Sequence, residues 1–286
     1  QGAFWREGGI APGLRLEDVL PELTDQAVSV IREHAAGGSP KPLLLYLALT
    51  APHTPWLPAE AYRGRSGAAM YGDFTVMVDA MIGRVLSALD EAQLSQQTLL
   101  VFTSDNGPVW YDEDVVRTGH DSSGGLRGMK ADAWEAGHRM PFIVRWPGRV
   151  QAATTSDQLI CFTDLMATLA DVVDVDLPAD AGPDSFSFLP VLLGKQPQDD
   201  SLRESLVVQA GHMTIRAGPW KLIDGLGSGG FTAPGRMEPA PGGPQGQLYR
   251  IETDPLESRD LYLEYPDTVD LFTNELKHQI TSEIVP

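Results

Sequence analysis

The chain has 286 residues, 42% of them hydrophobic and 21% charged, and its 39 acidic side chains against 21 basic ones give a formal charge of −18. That composition suits a globular protein with a sizeable core and argues against nucleic acid or an anionic membrane as the main partner. The single cysteine, Cys161, excludes an intramolecular disulfide, and no apolar run reaches the roughly 20 residues that span a bilayer.

The chain opens at Gln1 without a basic-then-apolar leader, so any signal peptide is expected to be removed or to lie upstream. Leu14 to Ala36 is predicted to be helical, because Val19, Leu20, Leu23, Ala27, Val30 and Ile31 recur at helical spacing. The continuous apolar run Leu43–Leu49 predicts a strand covered on both faces, as in a parallel sheet. Asp73 to Leu94 carries a second helical stripe through Phe74, Met77, Val78, Met81, Ile82, Val85, Leu86 and Leu89. Leu99–Thr103 and Pro141–Trp146 are further buried strands, and the strand–helix–strand order predicts parallel pairing in an α/β sheet. Helices are expected at Thr163–Val173 and Phe186–Leu193.

The texture changes near Lys195. Short strands are predicted at Ser205–Gln209, Met213–Arg216, Trp220–Ile223 and Gln247–Ile251, followed by a helix from about Asp267 to Glu283. Gly225–Gly246, rich in glycine and proline, is expected to be an exposed excursion. The organisation predicted is therefore an α/β domain over 1–195 and a smaller antiparallel α+β subdomain over 196–286.

In open α/β sheets ligands lie beyond the carboxyl ends of the strands, and two predicted strands end in polar clusters. Thr50-Ala51-Pro52-His53-Thr54-Pro55-Trp56 follows the first, where the prolines stiffen the backbone around an imidazole. Ser104-Asp105-Asn106-Gly107 follows the second. It reads either as a turn or as a carboxylate and an amide oxygen suited to Ca²⁺ or Mg²⁺, although two oxygens alone do not fill a shell of six to eight ligands.

Together these clusters resemble the sulfatase family. The resemblance is carried by Ala51–Trp56, by Tyr71-Gly72-Asp73, by Thr103–Pro108, by Gly125-Leu126-Arg127-Gly128-Met129-Lys130, by Glu135–Phe142 with Trp146-Pro147-Gly148, and by Gln247–Pro255. It implies a fold of the alkaline-phosphatase type and a sulfuric ester hydrolase. In such an enzyme a Cys-x-Pro-x-Arg (or Ser-x-Pro-x-Arg) residue becomes formylglycine, and its hydrated aldehyde attacks sulfur. The resemblance places Asp105 and Asn106 among the ligands of one divalent cation, usually calcium, and gives His53 and Lys130 the sulfate and the leaving oxygen. A transferring sulfate spreads negative charge over its oxygens, and a cation, a lysine and a proton donor would stabilise it.

Neither nucleophile motif occurs in these residues, nor do the family's paired early aspartates. Cys161, in an apolar setting before a helix, is expected to be a packing residue. The sequence is therefore expected to be the later portion of a longer enzyme, folding poorly and cleaving nothing by itself. His120 lies in the long loop before Lys130 and is a candidate substrate contact. Arg127 is expected either to touch substrate or to position the lysine loop, and His138 and Arg139 to be structural. Trp110, Tyr111 and Asp112-Glu113-Asp114 are placed at the substrate entrance, favouring a small or lightly sulfated ester, saccharide or otherwise. Two rival readings are a phosphatase or phosphonate monoester hydrolase of the same superfamily, and a non-catalytic binder of sulfated ligands. By the same resemblance the enzyme is expected to be periplasmic or secreted.

Overall fold

A computed structural model describes residues 8–178, 180–197 and 200–281. The chain divides into two compact units, one formed by 1–99 with 112–120 and the other by 100–111 with 121–286.

The first unit is built on two helices, α1 (Val19–Gly37) and α2 (Ala69–Glu91). Leu20, Thr24, Ala27, Val28 and Ile31 form the buried stripe of α1, and Gly38 in the left-handed conformation (φ 58°) ends it. Leu20 packs with Phe74, Met77, Val78 and Met81 of α2, and Leu49, Ala51, Trp56 and Tyr62 close over that core. The Tyr71-Gly72-Asp73 motif anchors the loop before α2. The Asp73 carboxylate accepts the N–H groups of Gly64 (2.7 Å) and Ser66 (2.8 Å), and a side chain at Gly72 would lie 2.3 Å from Ser66 Oγ. Burial pushes the Asp73 carboxyl up, but the donors from Ser66 and Gly64 outweigh it and hold the group below the usual carboxylate range. A short helix, α3 (Asp112–Thr118), interrupts the segment read as a long loop between the Asp105–Asn106 pair and Lys130.

The run Leu43–Leu49 does not form the predicted strand. Apolar side chains make a strand only where neighbours satisfy its N–H and C=O groups. Among the described residues no such neighbour pairs with it, and Leu44 and Tyr46 are 77% and 88% exposed.

In the second unit β1 (Leu100–Thr103) pairs with β2 (Phe142–Arg145), with Leu100 opposite Arg145 and Thr103 opposite Phe142. The pairing is antiparallel, which corrects the parallel arrangement expected. Apolar residues on both faces report burial and carry no information about direction. Between the strands lies the single-turn α4 (Glu135–His138), and α5 (Asp164–Val172) and α6 (Leu189–Leu192) follow β2. Asp164 is fully buried, pairs with Arg203, and accepts the N–H groups of Cys161 (2.8 Å) and Phe186 (2.9 Å). Cys161 is half-buried, with Sγ 2.9 Å from Thr163 Oγ1.

The remaining strands, β3 (Ser205–Ala210), β4 (His212–Ala217), β5 (Trp220–Asp224) and β6 (Gln247–Arg250), form an antiparallel meander in sequence order, and α7 (Pro266–Thr281) follows. Side-chain alternation gives this sheet two different faces. Ile215, Leu222 and Leu248 stand opposite one another on three strands and pack with Val269 and Leu276 of α7. One residue along, Arg216, Lys221 and Tyr249 form the aligned row of the other face, and Ile223, Tyr249 and Ile251 pack with Ala133 and Trp134.

Candidate active site

In the first unit, Trp56 Nε1 donates to the Pro52 carbonyl (3.0 Å), closing the loop that presents His53. The Trp56 ring meets Tyr71 edge-on at 5.5 Å, and Tyr71 lies 6.5 Å from the His120 ring. The structure thus brings the His53 loop and His120 together through two aromatic rings. His53 is exposed, and its Nδ1 donates to the Thr54 carbonyl at 2.8 Å. A carbonyl only accepts, so this bond fixes the tautomer and leaves Nε2 as the reactive nitrogen.

In the second unit, three loops meet. The Asp105–Asn106 turn is locked to the Lys130 loop by the Lys130 N–H, which donates to Pro108 O (2.7 Å), and by the Gly107 N–H, which donates to Gly137 O (3.1 Å). Gly107 is required there, because a Cβ would sit 1.6 Å from the Ala136 carbonyl oxygen. Asp105 is exposed, and the Asn106 amide N–H is given to Gly107 O (2.9 Å), leaving its oxygen for a ligand. That donor set suits a hard cation but supplies only part of a shell. Among the described residues no three His, Cys, Asp or Glu side chains gather to complete it.

The third loop begins in the glycine-rich stretch expected to be an exposed excursion, and for 225–230 that expectation fails. Ser228 is fully buried, and its carbonyl accepts the Ala133 N–H (2.7 Å). Asp132, also fully buried, accepts from the N–H groups of Met129 (2.8 Å), Phe231 (2.7 Å) and Thr232 (3.1 Å) and from the Thr232 hydroxyl. The Gln247 side-chain amide ties down the carbonyls of Gly225 (2.9 Å) and Gly227 (2.8 Å). Glycines allow this close packing of backbone on backbone, whereas the later part, 231–242, is mostly exposed.

The polar row of the meander seats the lysine loop. The Arg127 guanidinium stacks 3.8 Å over Trp134 and donates to the Glu257 carbonyl (2.7 Å) and the Tyr249 hydroxyl (3.1 Å). Burial pushes the Tyr249 phenol up to about 12, so it stays a donor, and it donates to Gln247 at 2.7 Å. Lys221, 2% exposed, reaches both Glu135 (3.0 Å) and Glu257 (2.8 Å), and Arg216 lies 3.3 Å from Glu135. Burial raises both carboxyls. For Glu135 the charges of Lys221 and Arg216 prevail and hold it low, whereas Glu257 stays above its ordinary value. His138 is pushed down to about 4, first by burial and then by Lys221, and its Nε2 is buried without a hydrogen-bond partner. Sequence reading missed Lys221 and Glu257. The available signal was a lysine inside the apolar strand Trp220–Ile223, which burial tolerates only with an acidic partner.

A family model described as Sulfatase matches residues 20–175, more than half of the chain. The chain belongs to the sulfatase family. A second model, described as N-sulphoglucosamine sulphohydrolase, C-terminal, matches 130–224, so the sulfatase match covers His53, Asp105, Asn106, His120, Arg127 and Lys130, and the second reaches Lys221. The chain is 35% identical to an N-acetylgalactosamine-6-O-sulfatase of Bacteroides thetaiotaomicron, over 93% of this chain and 52% of that protein. It is 33% identical to human steryl-sulfatase over 64% of this chain and 31% of that enzyme. A solved structure from work on the metabolism of multiple glycosaminoglycans by B. thetaiotaomicron superposes with a TM-score of 0.80 at 35% identity, over 92% of this chain and 55% of that one. A Pseudoalteromonas sulfatase superposes at 0.77 and 24% identity over 95% and 55%, which supports the fold alone. The sulfatase chain therefore spans about half the length of the Bacteroides relative and of the first of these solved structures, and its fold is the alkaline-phosphatase-like α/β architecture of its structural neighbours.

Proposed function

We propose that the full-length protein carrying this chain hydrolyses the sulfate ester of a sulfated saccharide. The observation that carries the reading is the Lys130 N–H bond to the Pro108 carbonyl. It fixes the backbone of the lysine loop against the Asp105–Asn106 turn, which supports reading Lys130 and these two oxygen donors as parts of one site. Asp105 and Asn106 would hold a divalent cation, Ca²⁺ by preference, which when bound neutralises charge on the sulfate oxygens. Lys130 binds the sulfate as a point charge, and its local positive field offsets the net charge of −18. His53, once protonated at Nε2, gives that proton to the departing oxygen, His120 contacts the substrate, and Arg127 holds the lysine loop on the meander. The nucleophile, a formylglycine, is assigned to a part of the protein outside these 286 residues, which contain neither of its motifs.

The saccharide assignment is supported by the relative named N-acetylgalactosamine-6-O-sulfatase. The test is sulfate release from N-acetylgalactosamine 6-O-sulfate by the full-length protein, with EDTA and Ca²⁺ add-back. Turnover should depend on the cation and fall by roughly 10²–10³ in Lys130→Ala, the usual cost of losing one charge-stabilising donor. The 286-residue chain alone should show none. Tight binding without turnover would favour the non-catalytic reading, and faster cleavage of phosphate esters the phosphatase reading.

A further inference from the structure

Phe231 belongs to the lysine loop's surroundings in a way the proposed mechanism does not use. The preceding residue, Gly230, packs so closely on the lysine loop that a Cβ would lie 2.2 Å from the carbonyl oxygen of Ala131, the residue after Lys130. The Phe231 N–H itself donates to Asp132 at 2.7 Å, and the next residue is held to the same carboxylate twice. Below them, Ser228 Oγ accepts the Gly230 N–H (3.0 Å) and donates to the Thr232 carbonyl (2.6 Å). The backbone carrying Phe231 is thus clamped from both sides, within two residues of Lys130 along the path through Gly230 and Ala131.

On this clamped backbone Phe231 is nevertheless 55% exposed. Leaving a large apolar ring in water forfeits the stabilisation that burying it would give, and here the backbone that carries the ring is fixed against the loop that carries Lys130. Aromatic faces carry negative quadrupole density and attract the positively polarised C–H groups of a flat ligand, while their apolar area excludes water from it. A pyranose has such a C–H face, and binding sites combine apolar walls with a few fixed polar groups. We propose that Phe231 is a specificity-determining wall of the sulfatase site, against which the sugar ring stacks while its sulfate lies at Lys130. This rests on the saccharide sulfatase reading and deepens it.

The experiment uses the full-length protein, N-acetylgalactosamine 6-O-sulfate as substrate, and inorganic sulfate as a competitive inhibitor that reads the anion pocket without a sugar. Phe231→Ala should raise KM about tenfold, in keeping with the worth of one lost ring contact, with kcat within a factor of about two and the inhibition constant for sulfate unmoved. Phe231→Trp should restore KM, and Gly230→Ala, which displaces the same loop, should raise it. An unchanged KM in Phe231→Ala would overturn the proposal. An equal rise in KM and in the sulfate inhibition constant would also overturn it, because the ring would then be supporting the pocket. Absence of any sulfate-ester turnover by the unmutated protein would overturn the underlying functional reading and this inference together.

Discussion

Lys221→Met is the sharpest test of how the lysine loop is held. The ammonium is 2% exposed and lies 3.0 Å from Glu135 and 2.8 Å from Glu257, which is itself fully buried. Removing one member of a buried ion cluster leaves uncompensated charge and costs about 3–5 kcal/mol. Two features put this case at the lower end. Glu135 keeps Arg216 at 3.3 Å and Arg139 at 3.7 Å, and Glu257 already stands above its ordinary carboxylate value and can take up a proton. The expectation is therefore about 3 kcal/mol at neutral pH, or a fall in Tm of roughly 6–12 °C at 2–4 °C per kcal/mol for a chain of this size class. The sign of the pH dependence follows. A carboxyl whose folded pKa is raised favours the fold when protonated, so the variant's deficit shrinks as pH falls towards the carboxylate range and is largest above it. Thermal melts of the full-length protein at pH 5 and pH 7.5, with Lys221→Met, Glu257→Gln and the double variant, give the measurement. The double variant should recover stability relative to Lys221→Met alone. A Tm within 1 °C of the parent, or no recovery in the double variant, would refute the account of the cluster as a charge-balanced clamp.

Two further outcomes concern other buried groups. Asp164 is fully buried, paired with Arg203, and a shared acceptor for two backbone N–H groups, so Asp164→Ala should cost about 3–5 kcal/mol, read as a lowered denaturant midpoint at constant m. His138 is held near 4 against an ordinary 6.5, so the fold favours its neutral form. Its contribution is present above 6.5 and lost as pH falls towards about 4, up to about 3 kcal/mol in all. His138→Gln should flatten the stability–pH curve in that window, and an unaltered slope would count against the assignment.

The helices and the meander were legible because their signals are local. The stripe from Phe74 to Leu89 fits one helical face, and Ser205 to Arg250 contains short strands at hairpin spacing, both fixed by side-chain periods of 3.6 and 2. Asp105 and Asn106 drew attention as a polar cluster at a strand end, where ligands bind in open α/β sheets, whereas Lys130 was picked out by the resemblance to the sulfatase family. The direction of β1 against β2 was not legible, since an apolar run reports burial alone. Nor was the fate of Leu43–Leu49, because a strand exists only with a neighbour to pair with.

By itself the sequence determined the family, the helices, the strands of the meander and the residue types able to handle a sulfate. Tertiary structure decided that Arg127 stacks on Trp134 and bonds Tyr249 and Glu257, that Lys221 joins Glu135 to Glu257, and that the glycine-rich segment folds onto Asp132. Apart from the Arg127–Trp134 stack, these contacts join residues far apart in the chain, such as Arg127 with Glu257 and Phe231 with Asp132. Such pairings depend on close approach and exclusion of water, and no local period in the chain encodes either.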